Sequence, residues 1–223
     1  MQKVAETEAG GVFATFATET RAVTPLLVAT TNRDKVREIT EILTGIPFDI
    51  VTLHQCPGIP APDETGRTFA ENARAKALYY AARIGMLTVA EDSGLEIAAL
   101  DGAPGVESAR FGGVDSSYPE KFALIYAALD ARGPRASPAR FICALALAKG
   151  HDIIYETTGI VDGRIAPEPR GTRGFGYDPM FFYPPYGCTL AEATREQKAA
   201  VSHRGKAFRA LREFLVRSNR GDR

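Results

Sequence analysis

The apolar positions of this chain alternate between the spacing of strands and the spacing of helices. Residues 25–31 (PLLVATT) form a short apolar run that ends in small polar residues, which predicts a strand followed by a turn. In residues 33–43 (RDKVREITEIL) apolar side chains recur every three or four positions, which predicts a helix. Residues 86–97 (MLTVAEDSGLEI) predict a strand that is interrupted at Ser93 and Gly94.

Capping signals mark the ends of two further helices. Thr68 with Glu71, and Ser117 with Glu120, have the spacing of a capping box, in which each residue of the pair accepts a hydrogen bond from a free backbone N–H. The first of these helices is predicted to end at Gly85, because glycine tolerates the left-handed conformation that follows a helix.

The second half of the chain completes the pattern. Residues 139–150 and 152–165 predict two neighbouring strands, and residues 202–218 predict an amphipathic helix that begins near Ser202. The alternation predicts an α/β fold with a mixed sheet. We expect one domain at 25–218, preceded by a weakly ordered extension at 1–24 and followed by a tail at 219–223.

Composition limits the possible partners. Lysine plus arginine equals aspartate plus glutamate at 27 each, so no overall positive field favours binding to nucleic acid. No apolar run approaches the ~20 residues of a membrane span, and no membrane partner is expected. The three cysteines, Cys56, Cys143 and Cys188, are widely spaced without a CxxC pair, which indicates reduced thiols and a cytoplasmic location.

The junction between the first strand and the first helix has the chemistry of a phosphate site. Thr30, Thr31 and Asn32 lead into the helix and Lys35 lies in its first turn. Hydroxyls, free backbone N–H groups and an ammonium group all bind phosphate oxygens. The sequence contains no Walker A loop and no GxGxxG motif. The alternative is an ordinary capped helix with Lys35 in solvent.

Two adjacent acids, Glu91 and Asp92, follow an apolar run. Side chains alternate across a strand, so these two should point to opposite faces and at most one should enter a given cleft. Asp92 is followed by a hydroxyl and a glycine, and it is the better candidate for binding a water molecule or a divalent metal. The alternative is an acidic edge of a loop.

Residues 171–182 (GTRGFGYDPMFF) combine glycines with aromatic side chains. One interpretation is a turn that borders the core. The other is a lid on a flat ligand, in which Phe175 or Tyr177 stacks on a ring while Gly174 and Gly176 allow a close approach of the backbone.

A second group of cations lies near the start of the last helix. Lys198, His203 and Arg204 surround Ser202 there, where they would add to the positive end of the helix dipole. The alternative is a solvated basic helix end.

Taken together and in this order, the motifs resemble the inosine triphosphate pyrophosphatase family, also called the Ham1 or non-canonical purine NTP pyrophosphatase family. The resemblance covers about residues 26–215 through ATTNRDKVREI, ETGRTFAENARAKA, EDSGLEIAALDGAPGVESARFGG, GFGYDPMF and EQKAAVSHRGKA. It implies a mixed α/β fold with an elongated central sheet, two lobes with a cleft between them, and a homodimer. It also implies hydrolysis of ITP, dITP and XTP to the monophosphate and pyrophosphate with Mg²⁺.

The resemblance assigns the site residue by residue. Asp92 would be the base that activates water, and Glu64 and Asp92 would bind the metal. The substrate would be bound by Thr30, Thr31, Asn32, Arg33, Asp34, Lys35, Lys76, Ser93, Phe175, Gly176, Tyr177, Asp178, Lys198, His203 and Arg204. Two other functions remain open: a Maf-like pyrophosphatase acting on modified pyrimidine nucleotides, and a nucleotide sensor without catalysis.

Overall fold

The computed structural model describes residues 23–219, so most of the predicted extension at 1–24 and of the predicted tail at 219–223 lies outside the described residues. The strands are β1 (Thr24–Val28), β2 (Phe48–Thr52), β3 (Leu87–Ile97), β4 (Pro138–Lys149), β5 (Asp152–Ile165), β6 (Phe181–Tyr183) and β7 (Cys188–Thr189). The helices are α1 (Arg33–Ile42), α2 (Phe69–Ile84), α3 (Tyr118–Asp130), α4 (Arg195–Val201) and α5 (His203–Asn219). None of the helices in this part of the chain combines the length and the apolar character that a membrane span requires.

The seven strands form one mixed sheet in the order β2-β1-β3-β4-β5-β6-β7. Strand β1 runs parallel to both β2 and β3, and each remaining pair of neighbours is antiparallel. The predicted α/β class with a mixed sheet is therefore confirmed. The predicted pair of neighbouring strands is the long β4–β5 hairpin.

Alternating side chains of β4 build a different core on each face of the sheet. Cys143, Leu145 and Leu147 face α1 and α5, whereas Ala144 and Ala146 face α2. The small alanines allow α2 to lie close to the sheet. A third cluster packs α3 against the end of β3, the start of β4 and the end of β5. The central strands are thus covered on both faces, and polar groups concentrate where strands end and loops begin.

Strand β3 is continuous, so the predicted interruption at Ser93 and Gly94 is wrong. Residues 88–97 pair without a break with β4, and Gly94 is paired with Ile142. The glycine has a packing role instead, because a methyl group there would lie 2.7 Å from Gly105 O and still closer to the side chain of Ser108. Gly94 lets the segment that contains Ser108 lie directly against the sheet.

The predicted helix ends are largely correct. Ser117 and Glu120 form a complete capping box, and Gly85 ends α2 in the left-handed conformation with φ of 73°. At Thr68 the hydroxyl accepts a hydrogen bond from Glu71 N as predicted. The Glu71 carboxylate, however, binds the N–H of Arg67 rather than that of Thr68. Helix α5 begins at His203, next to the predicted Ser202, and the preceding short helix α4 was not predicted.

Candidate active site

A cleft of 280 Å³ brings together nearly all of the predicted site residues. It is lined by Thr30, Thr31, Asn32, Lys35, Glu64, Lys76, Asp92, Ser93, Phe175, Gly176, Tyr177, Asp178, Lys198, His203 and Arg204. Arg33 and Asp34 do not line it. Arg33 is exposed, and Asp34 pairs with Arg37 on the outer surface of α1 at 2.8 Å.

The end of the cleft near β1 is formed by the start of α1. Oδ1 of Asn32 accepts hydrogen bonds from the N–H groups of Asp34 (2.9 Å) and Lys35 (3.1 Å), and Asn32 N donates to Oγ1 of Thr30. This cap leaves the Lys35 side chain pointing inward, where its Nζ lies 2.7 Å from Glu91 Oε1. The helix is capped as the alternative required, but Lys35 is not in solvent, because its side chain is only 18% exposed.

Glu91 and Asp92 point to opposite faces of β3, as predicted. Asp92 lines the cleft, whereas Glu91 is buried behind it and contacts Lys35 and Arg204. Burial opposes ionisation of Glu91, but Lys35 and Arg204 outweigh this effect and hold the pKa of Glu91 well below its ordinary value. Glu91 is therefore a fixed negative charge beneath the cleft.

Asp92 is held by two hydrogen bonds inside the protein. Its Oδ2 accepts from Asn72 Nδ2 at 2.9 Å, and its Oδ1 accepts from Ser93 N at 3.0 Å. Burial raises the pKa of Asp92 to about 6, although Lys76 and the hydrogen bond from Asn72 oppose the shift. A carboxyl group in this range is ionised at neutral pH and is basic enough to accept a proton.

Lys76 and Glu64 form an ion pair beside Asp92. Lys76 Nζ also donates to the carbonyl oxygen of Glu91 at 3.2 Å. Burial opposes the charge of Lys76, but Glu64 and Asp92 more than offset burial and keep the pKa of Lys76 above its ordinary value. Two carboxylates and one ammonium thus meet at the centre of the cleft.

Asp178 holds the glycine-rich loop that lines the cleft. Its Oδ2 accepts hydrogen bonds from Phe175 N (2.8 Å) and Lys198 Nζ (2.6 Å). Gly174 has φ of 74°, and a methyl group there would lie 3.2 Å from Lys198 Nζ and closer still to Asp178. Glycine is therefore required at this position for both its conformation and its close approach to Asp178.

The two aromatic candidates of this loop have different environments. Tyr177 is 4% exposed, donates a hydrogen bond to Ser108 O at 2.8 Å and packs edge-to-face on Tyr118. Phe175 instead lies beside two cations, with Lys198 Nζ 4.6 Å and Arg204 Cζ 5.4 Å from the centre of its ring. The loop thus borders the core at Tyr177 and presents Phe175 to the cleft.

Buried ion pairs join the base of this loop to α1. Glu38 accepts hydrogen bonds from Lys198 Nζ and from Arg204 Nη1, both at 2.9 Å. The other side of the Arg204 guanidinium contacts Glu91 at 3.3 Å and Ser93 Oγ at 3.0 Å. Lys198 and Arg204 are therefore fixed inside the protein and are not part of a solvated helix end.

His203 contributes a neutral ring to the same wall. It stacks on Phe141 with a distance of 4.8 Å between ring centres. Burial and the neighbouring Arg204 hold the pKa of His203 well below its ordinary value. Its Nδ1 is buried and has no hydrogen-bond partner among residues 23–219.

The first turn of α5 lies directly on β5 at Gly159. A methyl group added to this glycine would lie only 2.8 Å from Ala207 N, so the helix packs against bare backbone here.

A family model described as the Ham1 family matches residues 26–214, which is most of the chain. The chain belongs to the Ham1 family. Curated relatives are similar in sequence over most of the chain. A dITP/XTP pyrophosphatase of an Exiguobacterium strain is 46% identical over 86% of this chain and 96% of its own length. A dITP/XTP pyrophosphatase of Geobacter sulfurreducens is 44% identical over 86% of this chain and 97% of its own length.

Solved structures agree with the membership. A HAM1 protein from Coxiella burnetii is 37% identical and superimposes with a TM-score of 0.81, covering 87% of this chain and 99% of its own. A nucleoside-triphosphatase/dITP/XTP pyrophosphatase from Mycobacterium abscessus is 38% identical, with a TM-score of 0.67 and coverage of 84% and 98%. The mixed sheet flanked by helices is therefore the fold of this family.

Two residues of the candidate site were not predicted. Asn72 binds Asp92, and Glu38 joins Lys198 to Arg204. The position of Asn72 in the first turn of α2, four residues before Lys76, is the one local signal that places it near the site. Glu38 follows Lys35 by three residues and so lies on the same helix face, but nothing in the sequence identifies its partners.

Proposed function

We propose that this chain hydrolyses the non-canonical purine nucleoside triphosphates ITP, dITP and XTP to the monophosphate and pyrophosphate, which removes deaminated purines from the nucleotide pool. The observation that carries the proposal is the position of Asp92, a carboxyl group with a raised pKa that faces the same cleft as Lys35 and Lys76. The names of the curated relatives support the same substrates.

Positive groups distributed along the cleft suit a triphosphate. Lys35, Lys76 and the hydroxyls of Thr30 and Thr31 all line the cleft. Each ammonium is already paired with a carboxylate, Lys35 with Glu91 and Lys76 with Glu64, so phosphate oxygens would share these cations rather than meet free charges. Cations that already lie in the cleft stabilise the charge of a phosphoryl-transfer transition state.

Magnesium fits the carboxylates of the cleft. Glu64 and Asp92 are the acids that would hold it, and the described chain provides no cluster of three metal-ligating side chains. Mg²⁺ commonly binds one or two carboxylates together with substrate phosphates, so two acids suffice. When bound, it would supply charge neutralisation at the phosphate oxygens.

Asp92 is the group that takes the proton from the attacking water. Without metal its pKa is about 6, so the carboxylate is ionised at neutral pH and free to accept a proton. Asn72 and Ser93 fix both of its oxygens. Attack at the α-phosphorus releases pyrophosphate directly, and no covalent enzyme intermediate is needed.

Base selection follows from the polarity at C6 and C2 of the purine. Hypoxanthine and xanthine carry an acceptor at C6, where adenine carries a donor, so a protein donor matches the first two and opposes adenine. Guanine must be rejected at C2, where it has an amine. Phe175 would supply stacking, and His203 and Arg204 would supply part of the edge recognition. Four hydrogen bonds to Glu38, Glu91 and Ser93 leave Arg204 one further N–H of its five.

We propose a homodimer, which is supported by exposed apolar side chains around the start of α3, namely Val114 (83% exposed) and Leu124 (46%). Light scattering on the purified chain would test the dimer. We also propose a cytoplasmic location, supported by the free thiols of Cys56, Cys143 and Cys188.

A nucleotide panel tests the function, with pyrophosphate and orthophosphate measured separately in the presence of Mg²⁺. We expect ITP to give IMP and pyrophosphate in one step, with ATP and GTP hydrolysed far more slowly. Release of orthophosphate with IDP as the first product would contradict the cleavage position. Preference for modified pyrimidine nucleotides would favour a Maf-like activity, and binding without turnover would favour a sensor.

A further inference from the structure

Glu91 lies behind the cleft and contacts two cations that line it. Its Oε1 is 2.7 Å from Lys35 Nζ, proposed to bind the phosphate end of the substrate, and 3.3 Å from Arg204 Nη2, proposed to bind the base end. Its Oε2 accepts a weaker hydrogen bond from the thiol of Cys143 at 3.5 Å. One carboxylate oxygen is thus shared by two cations that belong to different parts of the substrate site.

Burial makes this sharing significant. The side chains of Glu91 and Arg204 are 1% and 2% exposed, so their interaction is screened little by water or salt. Lys35 is 18% exposed and is the member of the group that can turn toward a ligand in the cleft. Lys35 and Arg204 compete for the same carboxylate oxygen, so a ligand that draws Lys35 away leaves this oxygen to Arg204 alone.

We infer that Glu91 is a positioning residue that couples phosphate binding to base recognition, an inference that rests on the proposed roles of Lys35 and Arg204. A phosphate oxygen that binds Lys35 competes with Glu91 for the ammonium group. The freed charge on Glu91 then holds Arg204 more firmly against Glu91 and Ser93, with its remaining N–H fixed in place. Base recognition is consequently strongest when the phosphate end is occupied.

The test measures binding of two partial ligands to the full chain in Mg²⁺ by calorimetry. Inosine probes the base end and pyrophosphate probes the phosphate end. Inosine is uncharged, so direct attraction or repulsion between the two ligands is small. We expect pyrophosphate to tighten inosine binding by about fivefold or more in the wild type, and inosine to tighten pyrophosphate binding by the same factor.

The variant Glu91→Gln keeps the shape of the side chain and removes its charge. We expect the factor by which each ligand tightens the other to fall below about two, because a neutral amide is not a shared counter-charge for the two cations. Glu96→Gln is the matched control, since Glu96 lies on the same strand and pairs with Arg140 away from the cleft. It should retain the wild-type coupling.

Glu91→Asp covers the case in which Glu91→Gln does not fold, as judged by circular dichroism. It keeps a counter-charge for the buried Arg204, but its shorter side chain cannot reach both cations, so coupling should again disappear. Wild-type coupling in a folded Glu91→Gln or Glu91→Asp protein, or no coupling or no binding of either ligand in the wild type, would overturn the inference. ITP turnover, measured on the same samples, tests the proposed function separately: coupling without turnover would remove the function and leave the inference standing.

Discussion

Asn72 joins Asp92 to the loop that carries Glu64. Its Nδ2 donates to Asp92 Oδ2 at 2.9 Å, while its Oδ1 accepts a hydrogen bond of 2.8 Å from Gly66 N, two residues after Glu64. The amide is buried in the first turn of α2. One side chain therefore sets the relative positions of the two proposed metal ligands.

Replacing Asn72 by alanine should weaken metal binding more than it weakens the fold. Loss of a group that orients metal ligands typically costs about 10- to 100-fold in metal affinity or activity. The measurement is the Mg²⁺ concentration that gives half-maximal ITP hydrolysis, which we expect to rise. Arg74→Ala on the exposed face of the same helix is the control, and an unchanged Mg²⁺ requirement in Asn72→Ala would contradict the positioning role.

Asp92→Asn should abolish most of the turnover. Removal of a general base typically costs about 10²- to 10⁴-fold in rate, and loss of a metal ligand adds to this. The amide can still pair with Asn72, so the fold and much of the nucleotide affinity should remain. Single-turnover kinetics and binding of ITP, compared with wild type, measure the two effects. Activity within a few-fold of wild type would exclude Asp92 from the mechanism.

The same variant should be more stable than wild type at high pH in the absence of metal. The pKa of Asp92 rises on folding from an ordinary value of 3.8 to about 6, so its stabilising contribution is complete below the unfolded pKa and is lost as the pH rises through the folded pKa. Asp92→Asn escapes this loss, which amounts to about 2 to 3 kcal/mol at about pH 8. Urea unfolding at about pH 4 and about pH 8 measures the difference.

The exposed Asp34→Asn serves as the control for this stability measurement. Asp34 pairs with Arg37 at the surface, where such pairs contribute about 0 to 1 kcal/mol. Its replacement should change stability little and similarly at both pH values. A gain for Asp92→Asn that is equal at both pH values would refute the assignment of the pKa shift to this residue.

Lys76→Ala should impair binding of the triphosphate. The ammonium group is buried beside Glu64 and Asp92, and hydrogen bonds to charged groups contribute about 1.5 to 3 kcal/mol. We therefore expect KM for ITP to rise by about 10- to 100-fold, with a smaller fall in kcat. Lys149→Ala, at the exposed end of β4, should leave KM unchanged. Equal KM values in the two variants would indicate that Lys76 has only a structural role.

Phe175 and Arg204 should affect base selection differently. Base stacking on an aromatic side chain contributes about 1 to 3 kcal/mol and tolerates any base, so Phe175→Ala should lower kcat/KM for all purines alike. Arg204→Lys should reduce the ratio of kcat/KM for ITP over ATP. Lysine is preferred to alanine here because Glu38 and Glu91 would otherwise each lose one of their two cationic partners inside the protein. If the ratio is unchanged in Arg204→Lys, base selection lies in backbone groups.

Local sequence signals predicted the parts of the molecule that depend on near neighbours. The capping box of α3, the end of α2 at Gly85 and the opposite orientations of Glu91 and Asp92 follow from rules that act over a few residues. Most residues that line the cleft were predicted from the family resemblance. The spacing of apolar and polar residues does not place Glu64 beside Lys76.

Contacts between distant residues could not be predicted in this way. Glu38 meets Lys198 and Arg204 across 160 and 166 residues of the chain, and those pairings exist only once α1, α4 and α5 have packed. The packing role of Gly94 was missed for the same reason. Ser108, the residue that packs against this glycine, comes from a separate segment of the chain. The sequence alone does not distinguish a glycine that interrupts a strand from a glycine that lets another segment pack closely against the strand.

The missing side chain of Gly159 sets the height of the first turn of α5 above the sheet. Because α5 rests on the bare backbone of β5 at this point, any larger residue there would raise the first turn of the helix. His203 and Arg204 both lie in that turn, so they would shift together as one unit. A substitution at Gly159, which does not line the cleft, would therefore alter the proposed base recognition while every residue of the cleft keeps its identity.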